Sequence, residues 1–452
     1  MSVRKYCFIT GIIILLSGCG KFLDQRPESS LVIPSVLSDL QALLNSELLM
    51  NDNVATAGDV AADDYWIPYA DWSTFNEEVR GNYLWDVNTP PPMMNWTAPY
   101  GKVYTCNLVL ESVDKFPLGG LSEGERAKTK GEALFLRSWA FYQLAQIFSM
   151  PYAEESAETD QGIPLRATTD VNVEVGRSSV AETYTKIEND LKLAAGLLPT
   201  HIPIATRPGK GAAYAVLSRV YLAMGDYQKA GDYADSCLQL HSQLIDYNGL
   251  DTNMTGQFPV LNPEVVFHAR GAVGLIPLAS KGRVSADLYA QYEKGDLRRP
   301  HFFKADAAGV LRFHGDYAGQ TSGVVFAGIT TAELILTRAE CLARAGKVQE
   351  ALKDMDKLLR NRYLPEYYVR FHTSDKEIAL DFILNERRKE LVFRLGIRWV
   401  DIRRLNQDPR RQIILKRTME GKEYTLPPND RRFAHLIPFD VVDKGTVNQT
   451  IR

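Results

Sequence analysis

The chain has 452 residues, a formal net charge of −3, 45% hydrophobic residues and 24% charged residues. These proportions are those of a globular protein that can bury a sizeable core, and the mildly acidic balance argues against nucleic acid or phospholipid headgroups as the main partner. Because the seven His are scattered and neither CxxC nor HExxH occurs, the sequence predicts no cofactor and no metal site.

The first 18 residues have the features of a signal peptide. Arg4 and Lys5 supply positive charge, and the apolar run Tyr6–Leu16 is shorter than the about 20 residues that cross a hydrocarbon core. The run ends in Leu16-Ser17-Gly18-Cys19, which resembles a bacterial lipobox. We therefore predict a signal peptide over residues 1–18, one mature domain over residues 19–452, and lipid on Cys19. The alternative is an ordinary signal peptide with an incidental Cys.

Helices are predicted from capping residues and from the spacing of apolar positions. Four capping-box candidates pair Ser or Thr with a Glu three residues later: Ser122 with Glu125, Ser179 with Glu182, Thr330 with Glu333, and Ser374 with Glu377. The first two open helices predicted over Glu123–Phe148 and Glu182–Leu198, and further helices are expected over Pro34–Leu49 and Pro99–Lys115. Cys106, Cys237 and Cys341 lie on helical stretches, where we expect buried thiols and no disulfide.

Two stretches follow the pattern of a tetratricopeptide repeat (TPR), a pair of helices joined by a tight turn. The first spans residues 211–240 and the second spans residues 332–359. Gly225 matches Gly346 at the turn, and Ala230 matches Ala351 where the paired helices come close. The alternative is that both are incidental amphipathic hairpins.

Long segments rich in Pro, Gly, Asn and Asp separate these helices, at residues 63–99, 150–177, 246–327 and 406–452. Irregular loops of this length are usually functional. The sequence therefore predicts a mostly α-helical, TPR-containing scaffold with long irregular loops on a ligand face.

Several motifs resemble those of one family, in the order in which that family has them. Cys19-Gly20-Lys21-Phe22-Leu23-Asp24 is similar to the C-x-x-F-L-D start of SusD/RagB lipoproteins, and Gly131-Glu132-Ala133-Leu134-Phe135-Leu136-Arg137 is similar to their G-E-A-x-F-L-R helix. Residues 385–391 and 398–404 resemble E-R-R-x-E-L and R-W-x-D-L-R-R, and residues 426–438 resemble the closing segment. The chain departs from the family at Phe393–Ile397, where many members have a shorter link.

The resemblance implies a SusD-like helical fold with TPR units on one side and a ligand face on the other. It also implies a lipid-anchored protein of the outer membrane, exposed at the cell surface. There it binds a nutrient, most often an oligosaccharide, and delivers it to a SusC-like TonB-dependent transporter. Three alternatives stay open: an oligopeptide-binding RagB-like uptake protein, a TPR adaptor lipoprotein of envelope assembly, and a surface glycosidase.

The first candidate for the ligand face is Asp63–Tyr100, which holds four of the six Trp. Sugar rings have apolar C–H faces that stack on aromatic rings, and their hydroxyls need polar partners. The candidate ligand residues here are Asp63, Asp64, Trp66, Trp72, Asn76, Arg80, Trp85 and Trp96. A second candidate segment, Asp287–Tyr317, adds Tyr289 and Tyr317. For any single aromatic, packing onto the scaffold is the alternative.

Two charged features are interpreted as structural. The Arg- and Glu-rich run Asn385–Arg404 is predicted to brace the scaffold through Arg–carboxylate pairs. Asp63 and Asp64 are adjacent, whereas the acid and base of a glycosidase stand on opposite sides of the scissile bond, about 5 to 9.5 Å apart. The sequence therefore predicts a binding protein and no catalytic residues.

Overall fold

The structure is a computed structural model that describes residues 34–254, 257–272, 281–315, 317–318, 324–445 and 447–452. The predicted signal peptide and Cys19 lie outside these ranges. The helices are α1 Leu37–Leu44, α2 Glu47–Met50, α3 Ala57–Ala61, α4 Tyr69–Trp72, α5 Glu77–Tyr83, α6 Met94–Ser112, α7 Glu123–Phe148, α8 Val180–Leu197, α9 Lys210–Met224, α10 Tyr227–Leu240, α11 Ala286–Tyr289, α12 Arg298–Phe302, α13 Thr331–Arg344, α14 Val348–Leu359, α15 Lys376–Glu390, α16 Arg398–Leu405 and α17 Phe439–Lys444.

The strands are short and form two-stranded antiparallel pairs. They are β1 Tyr65–Trp66 with β6 Arg283–Val284, β2 Gln161–Pro164 with β3 Arg177–Ser179, β4 Val265–Phe267 with β10 Ile329–Thr330, β5 Arg270–Ala272 with β9 Val324–Phe326, β7 Phe303–Ala305 with β8 Leu311–Phe313, and β11 Leu415–Met419 with β12 Lys422–Leu426.

Helix α7 lies at the centre of the scaffold and packs against α6 and α8. Its residues from Gly131 to Phe148 are all buried, because neighbours cover it on every side. It begins where the sequence predicts. Ser122 accepts a hydrogen bond from the Glu125 N–H at 3.2 Å, and the Glu125 carboxylate accepts one from the Ser122 N–H at 2.8 Å. This reciprocal cap fixes the first turn.

The two predicted repeat stretches each form a helix hairpin, α9–α10 and α13–α14, and α10 packs on α13. Gly225 and Gly346 have φ of +79° and +80°. Glycine adopts this left-handed backbone conformation at little cost, because it has no Cβ. Ala230 and Ala351 are fully buried. The turn and small-residue positions therefore occupy the places that the sequence pattern gives them.

Helix boundaries differ from the predictions where tertiary contacts override local signals. Helix α6 begins at Met94 and holds Pro99 inside it, because the side-chain amide oxygen of Asn95 accepts from the N–H groups of Thr56 and Ala57 and ties the extra turn to α3. The N-cap of α15 is Asp375 and not Ser374, since Asp375 accepts from two backbone N–H groups. The helix predicted over Pro34–Leu49 is split into α1 and α2.

The segments predicted as irregular contain short ordered elements. Residues 63–99 include α4 and α5, residues 246–327 include several strand pairs, and residues 406–452 include the β11–β12 hairpin. Some of these elements, such as β1 with β6, join segments that are far apart in the sequence, so local patterns carry little trace of them. They form the surface that the helical scaffold displays.

Candidate functional site

The pair β1–β6 brings the two candidate ligand segments together. Trp66 lies opposite Arg283, Tyr65 lies opposite Val284, and the Ser285 N–H donates to the Asp64 carbonyl at 2.9 Å. The segment around Trp66 and the segment that begins near Asp287 therefore form one surface, although they are far apart in the chain. In the sequence they are two separate candidate segments.

A groove of about 670 Å³ opens at this junction. Its size falls within the about 300–1,000 Å³ of ordinary ligand sites. Trp66, which is 46% exposed, lines it together with Asp63, Asp287, Arg388 and Lys416. The groove thus combines an exposed aromatic ring with charged side chains of both signs.

Trp66 and Trp72, the two more exposed candidate tryptophans, each have an arginine guanidinium packed over the ring. The Arg283 guanidinium lies 4.9 Å from the centre of the Trp66 ring, and the Arg80 guanidinium lies 5.5 Å from that of Trp72. The Trp72 indole N–H donates to the Arg80 carbonyl at 3.4 Å. Asn76 is exposed and caps α5 by accepting from the Val79 N–H at 3.0 Å.

Asp63 and Asp64 are held by arginines of the scaffold. Both Asp63 oxygens accept from Arg398, at 2.7 and 2.9 Å, and Asp64 pairs with Arg388 at 2.8 Å. Burial alone would raise the pKa of Asp63, but the two arginines outweigh it and hold that pKa below its usual range. Burial raises the pKa of Asp64, which the arginines offset only in part. Asp63 stays on the groove wall, whereas Asp64 is buried and is a bracing residue.

Two of the candidate aromatics, Trp85 and Tyr317, are buried in the core. Trp85 is 5% exposed, donates its indole N–H to the Ala61 carbonyl at 3.0 Å, and stacks against Arg417. Tyr317 is 1% exposed, and its hydroxyl donates to Glu264 at 3.2 Å under the guanidinium of Arg394. Both rings are buried, although Trp85 still belongs to the lining of the groove.

Tyr289 and Trp96 lie away from the groove lining. Tyr289 is half-buried under the guanidinium of Arg299 at 4.5 Å. Trp96 is 8% exposed, packs edge-on against Phe148, and lines a second groove of about 730 Å³ with Tyr100 and Tyr104. The structure therefore divides the predicted aromatic cluster between two surfaces.

Sequence reasoning missed Arg283, Lys416 and Tyr104. Tyr104 is 50% exposed and follows Trp96 and Tyr100 at helical spacing, so its place beside them was readable from the sequence. Arg283 had no such signal, because a strand of two residues leaves no periodic pattern.

The predicted bracing role of Asn385–Arg404 is confirmed. Arg387 donates to Asp401 at 2.9 Å, Arg404 bridges Asp401 and Glu340, and the whole group is buried. Cys106, Cys237 and Cys341 are buried free thiols, as predicted, and burial raises the pKa of each to about 12.

Across the described ranges, no group of three or more His, Cys, Asp or Glu is arranged to hold a metal ion. Within the same ranges, none of the helices has the length and apolar character needed to span a membrane.

Comparison with known proteins connects these features to one family. Residues 21–222 match a family model described as starch-binding associating with outer membrane, and residues 315–434 match the model of the SusD family. SusD-like protein P2 of Formosa agariphila is 26% identical over 255 residues, which are 51% of this chain and 46% of that protein. The chain thus aligns with about half the length of the curated relatives that it matches.

Solved structures share the fold over nearly the whole chain. A SusD superfamily protein of Bacteroides thetaiotaomicron superposes with a TM-score of 0.75 at 22% identity, covering 92% of this chain and 100% of that one. The surface glycan-binding protein A of Bacteroides fluxus gives a TM-score of 0.67 at 16% identity, covering 93% and 99%. Fold and groove together define a helical scaffold that displays a binding surface built from loops. The chain belongs to the SusD/RagB family.

Proposed function

We propose that this protein binds a nutrient oligosaccharide in the groove beside Trp66 and does not transform it. The observation that carries the proposal is the exposed Trp66 ring in a groove that also presents charged side chains of both signs. An indole face takes the C–H face of a sugar ring, while Asp63, Asp287 and Lys416 suit its hydroxyls. The glycan-binding function of the Bacteroides fluxus neighbour supports the same ligand class.

The proposal extends to location and partner. Lipid on Cys19 would hold the domain at the outer membrane, where the family model places its members, and acyl chains contribute roughly 0.8 kcal/mol for each buried CH₂. The protein then captures ligand at the cell surface and passes it to a SusC-like TonB-dependent transporter. Cys19→Ala should release the protein from membranes, and an unmodified Cys19 in the mass spectrum of the native protein would contradict the anchor.

The test of ligand binding compares wild type with Trp66→Ala on a glycan array that also carries oligopeptides. We expect wild type to retain oligosaccharides and Trp66→Ala to lose them. Tyr104→Ala is the matched control, since it removes an equally exposed ring from the other groove. Retention of peptides alone would contradict the proposal, as would equal binding by wild type and Trp66→Ala. Release of shortened sugars from any bound oligosaccharide would contradict the absence of catalysis.

A further inference from the structure

Three cations lie near the rings of Trp66 and Trp72, next to the Trp66 groove. Arg283 covers one face of Trp66, and Arg80 covers one face of Trp72. The Lys281 ammonium donates to the Thr74 hydroxyl at 2.7 Å and lies 3.6 Å from Asp71. Arg283 belongs to β6, the strand partner of β1, and Lys281 lies two residues before it, so the pairing of the two segments places both cations beside the rings.

Two of these cations are not neutralised by the protein. Within the described ranges, Arg283 and Arg80 form no ion pair, and the shielded Nε of Arg283 donates no hydrogen bond. Nearby arginines differ: Arg398 is paired with Asp63 at 2.7 Å, and Arg312 is paired with Asp306 at 3.0 Å. Within the described part of the chain, Arg283 is thus a guanidinium without a carboxylate partner that lies on the Trp66 ring, next to the groove.

Stacking on an indole ring suits a guanidinium to recognise an anion. The ring holds the guanidinium plane in place and leaves the N–H groups at its edge available to a planar, bidentate acceptor such as a carboxylate or a sulfate. The free face of Trp66 remains available for a sugar ring. Asp63 does not oppose an anion strongly, because Arg398 and Arg388 neutralise it, and Asp287 is the one exposed acid of the described groove lining.

We propose that the groove takes an anionic oligosaccharide, one that bears uronate carboxylates or sulfate groups. Arg283 binds the anionic group, and Trp66 contacts the ring that carries it or the ring next to it. Arg80, the other of these cations without an ion pair in the described ranges, adds positive potential beside Trp72. This inference rests on the proposed function, since it names the ligand class of the same groove.

The experiment uses the full mature protein and an array of neutral, uronate-bearing and sulfated polysaccharides. Each polysaccharide that binds is tested again after carboxyl reduction or after desulfation, which removes the charge and keeps the sugar backbone. Affinities are then measured for Arg283→Gln, for Arg283→Lys, and for Arg360→Gln as a matched control on the scaffold, where an exposed arginine pairs with Asp356.

We expect wild type to bind charged polysaccharides and to lose them when the charge is removed. Loss after carboxyl reduction identifies a uronate, and loss after desulfation identifies a sulfate. Arg283→Gln should weaken binding roughly 10- to 100-fold, the range of a charge-assisted hydrogen bond, and Arg283→Lys should weaken it less. Arg360→Gln should bind as wild type does, and higher salt should weaken wild type more than Arg283→Gln.

Other outcomes separate the two proposals. Binding of neutral polysaccharides alone, or binding that survives removal of the charge, overturns the anionic ligand and keeps the oligosaccharide function. Equal affinities of wild type and Arg283→Gln for a charged ligand overturn the role of Arg283. If peptides bind and no polysaccharide does, the proposed function itself fails, and the anionic glycan fails with it.

Discussion

Arg219 and Glu333 form a buried ion pair in which two guanidinium nitrogens donate to the two carboxylate oxygens, at 2.8 and 2.6 Å. Arg219 belongs to the first hairpin and Glu333 to the second, so the pair joins the two repeat-like units directly. The Arg219 guanidinium also donates to the Gly328 carbonyl and lies over the Trp139 ring. This contact ties the hairpins to the central helix α7.

Breaking this pair should destabilise the protein strongly. Glu333→Ala leaves a buried guanidinium without its counter-charge, which costs about 3–5 kcal/mol in the free energy of unfolding. Chemical denaturation measures this loss, with the exposed Glu350→Ala as a control that should change by less than about 0.5 kcal/mol. Replacing both partners by Met and Leu should cost less than Glu333→Ala alone. Equal stability of Glu333→Ala and wild type would refute the bridging role.

The helix hairpins should not tolerate larger residues at their closest approach. Ala230 and Ala351 are fully buried, so a Leu at either position forces neighbouring side chains apart, at about 1–3 kcal/mol. Melting temperatures of Ala230→Leu and Ala351→Leu test this, with the exposed Ala345→Leu as the matched control. Unchanged melting temperatures in both buried variants would show that the helices are not closely packed at these two positions.

The tryptophans should divide into a ligand-contacting residue and packing residues. Trp85→Ala removes a buried ring and should cost about 3–5 kcal/mol, and Trp96→Ala should behave similarly. Trp66→Ala removes a half-exposed ring and should change stability by about 1 kcal/mol or less while binding is lost. Thermal melting and ligand titration on the same samples separate the two effects. A destabilised Trp66→Ala of unchanged affinity would place Trp66 with the core.

Asp59 should give the protein a pH-dependent stability. Burial raises its pKa to about 7, although the Gly396 N–H donates to both of its oxygens, at 2.9 and 3.1 Å. The folded protein therefore holds this proton more tightly than the unfolded chain, whose Asp has a pKa near 3.8. The contribution is full below about pH 4 and is lost as the pH rises to about 7, on the order of 2–4 kcal/mol.

Asp59→Asn removes this titrating group and serves as the check. The difference in melting temperature, variant minus wild type, should rise between about pH 4.5 and about pH 8. Asp39, an exposed carboxylate whose pKa is lowered by backbone hydrogen bonds, provides the control, because Asp39→Asn should show the opposite trend below about pH 4. A difference that does not vary with pH would mean that Asp59 keeps an ordinary pKa.

The helical part of the fold was predictable because its signals are local. The cap at Ser122, the dense apolar run of α7 and the matched Gly225 and Gly346 all lie within a few residues of what they control. Where a competing residue stood next to a predicted cap, as Asp375 does beside Ser374, the boundary moved by one position. Composition also pointed to the segment around Trp66 as a candidate ligand face, which stays a prediction.

The details of the site were not predictable, because they depend on partners that are distant in sequence. Nothing near Trp85 distinguishes it from Trp66, and their different burial comes from Trp399 and Arg417 on one side and from solvent on the other. Lys281 reaches Thr74 across 207 positions. Contacts of this kind follow from the assembled fold and not from the spacing of residues.

The groove also separates the parts of the protein that evolution can change from the parts that it must keep. In the described lining, Arg388 is the contribution of a long scaffold helix, and the other side chains come from loops, short helices and short strands. Substitutions at Trp66, Arg283 or Asp287 leave the buried ionic brace of Arg387, Asp401 and Arg404 untouched. A chain of this architecture can therefore acquire a new ligand by exchanging surface residues alone, while its core diverges at its own pace.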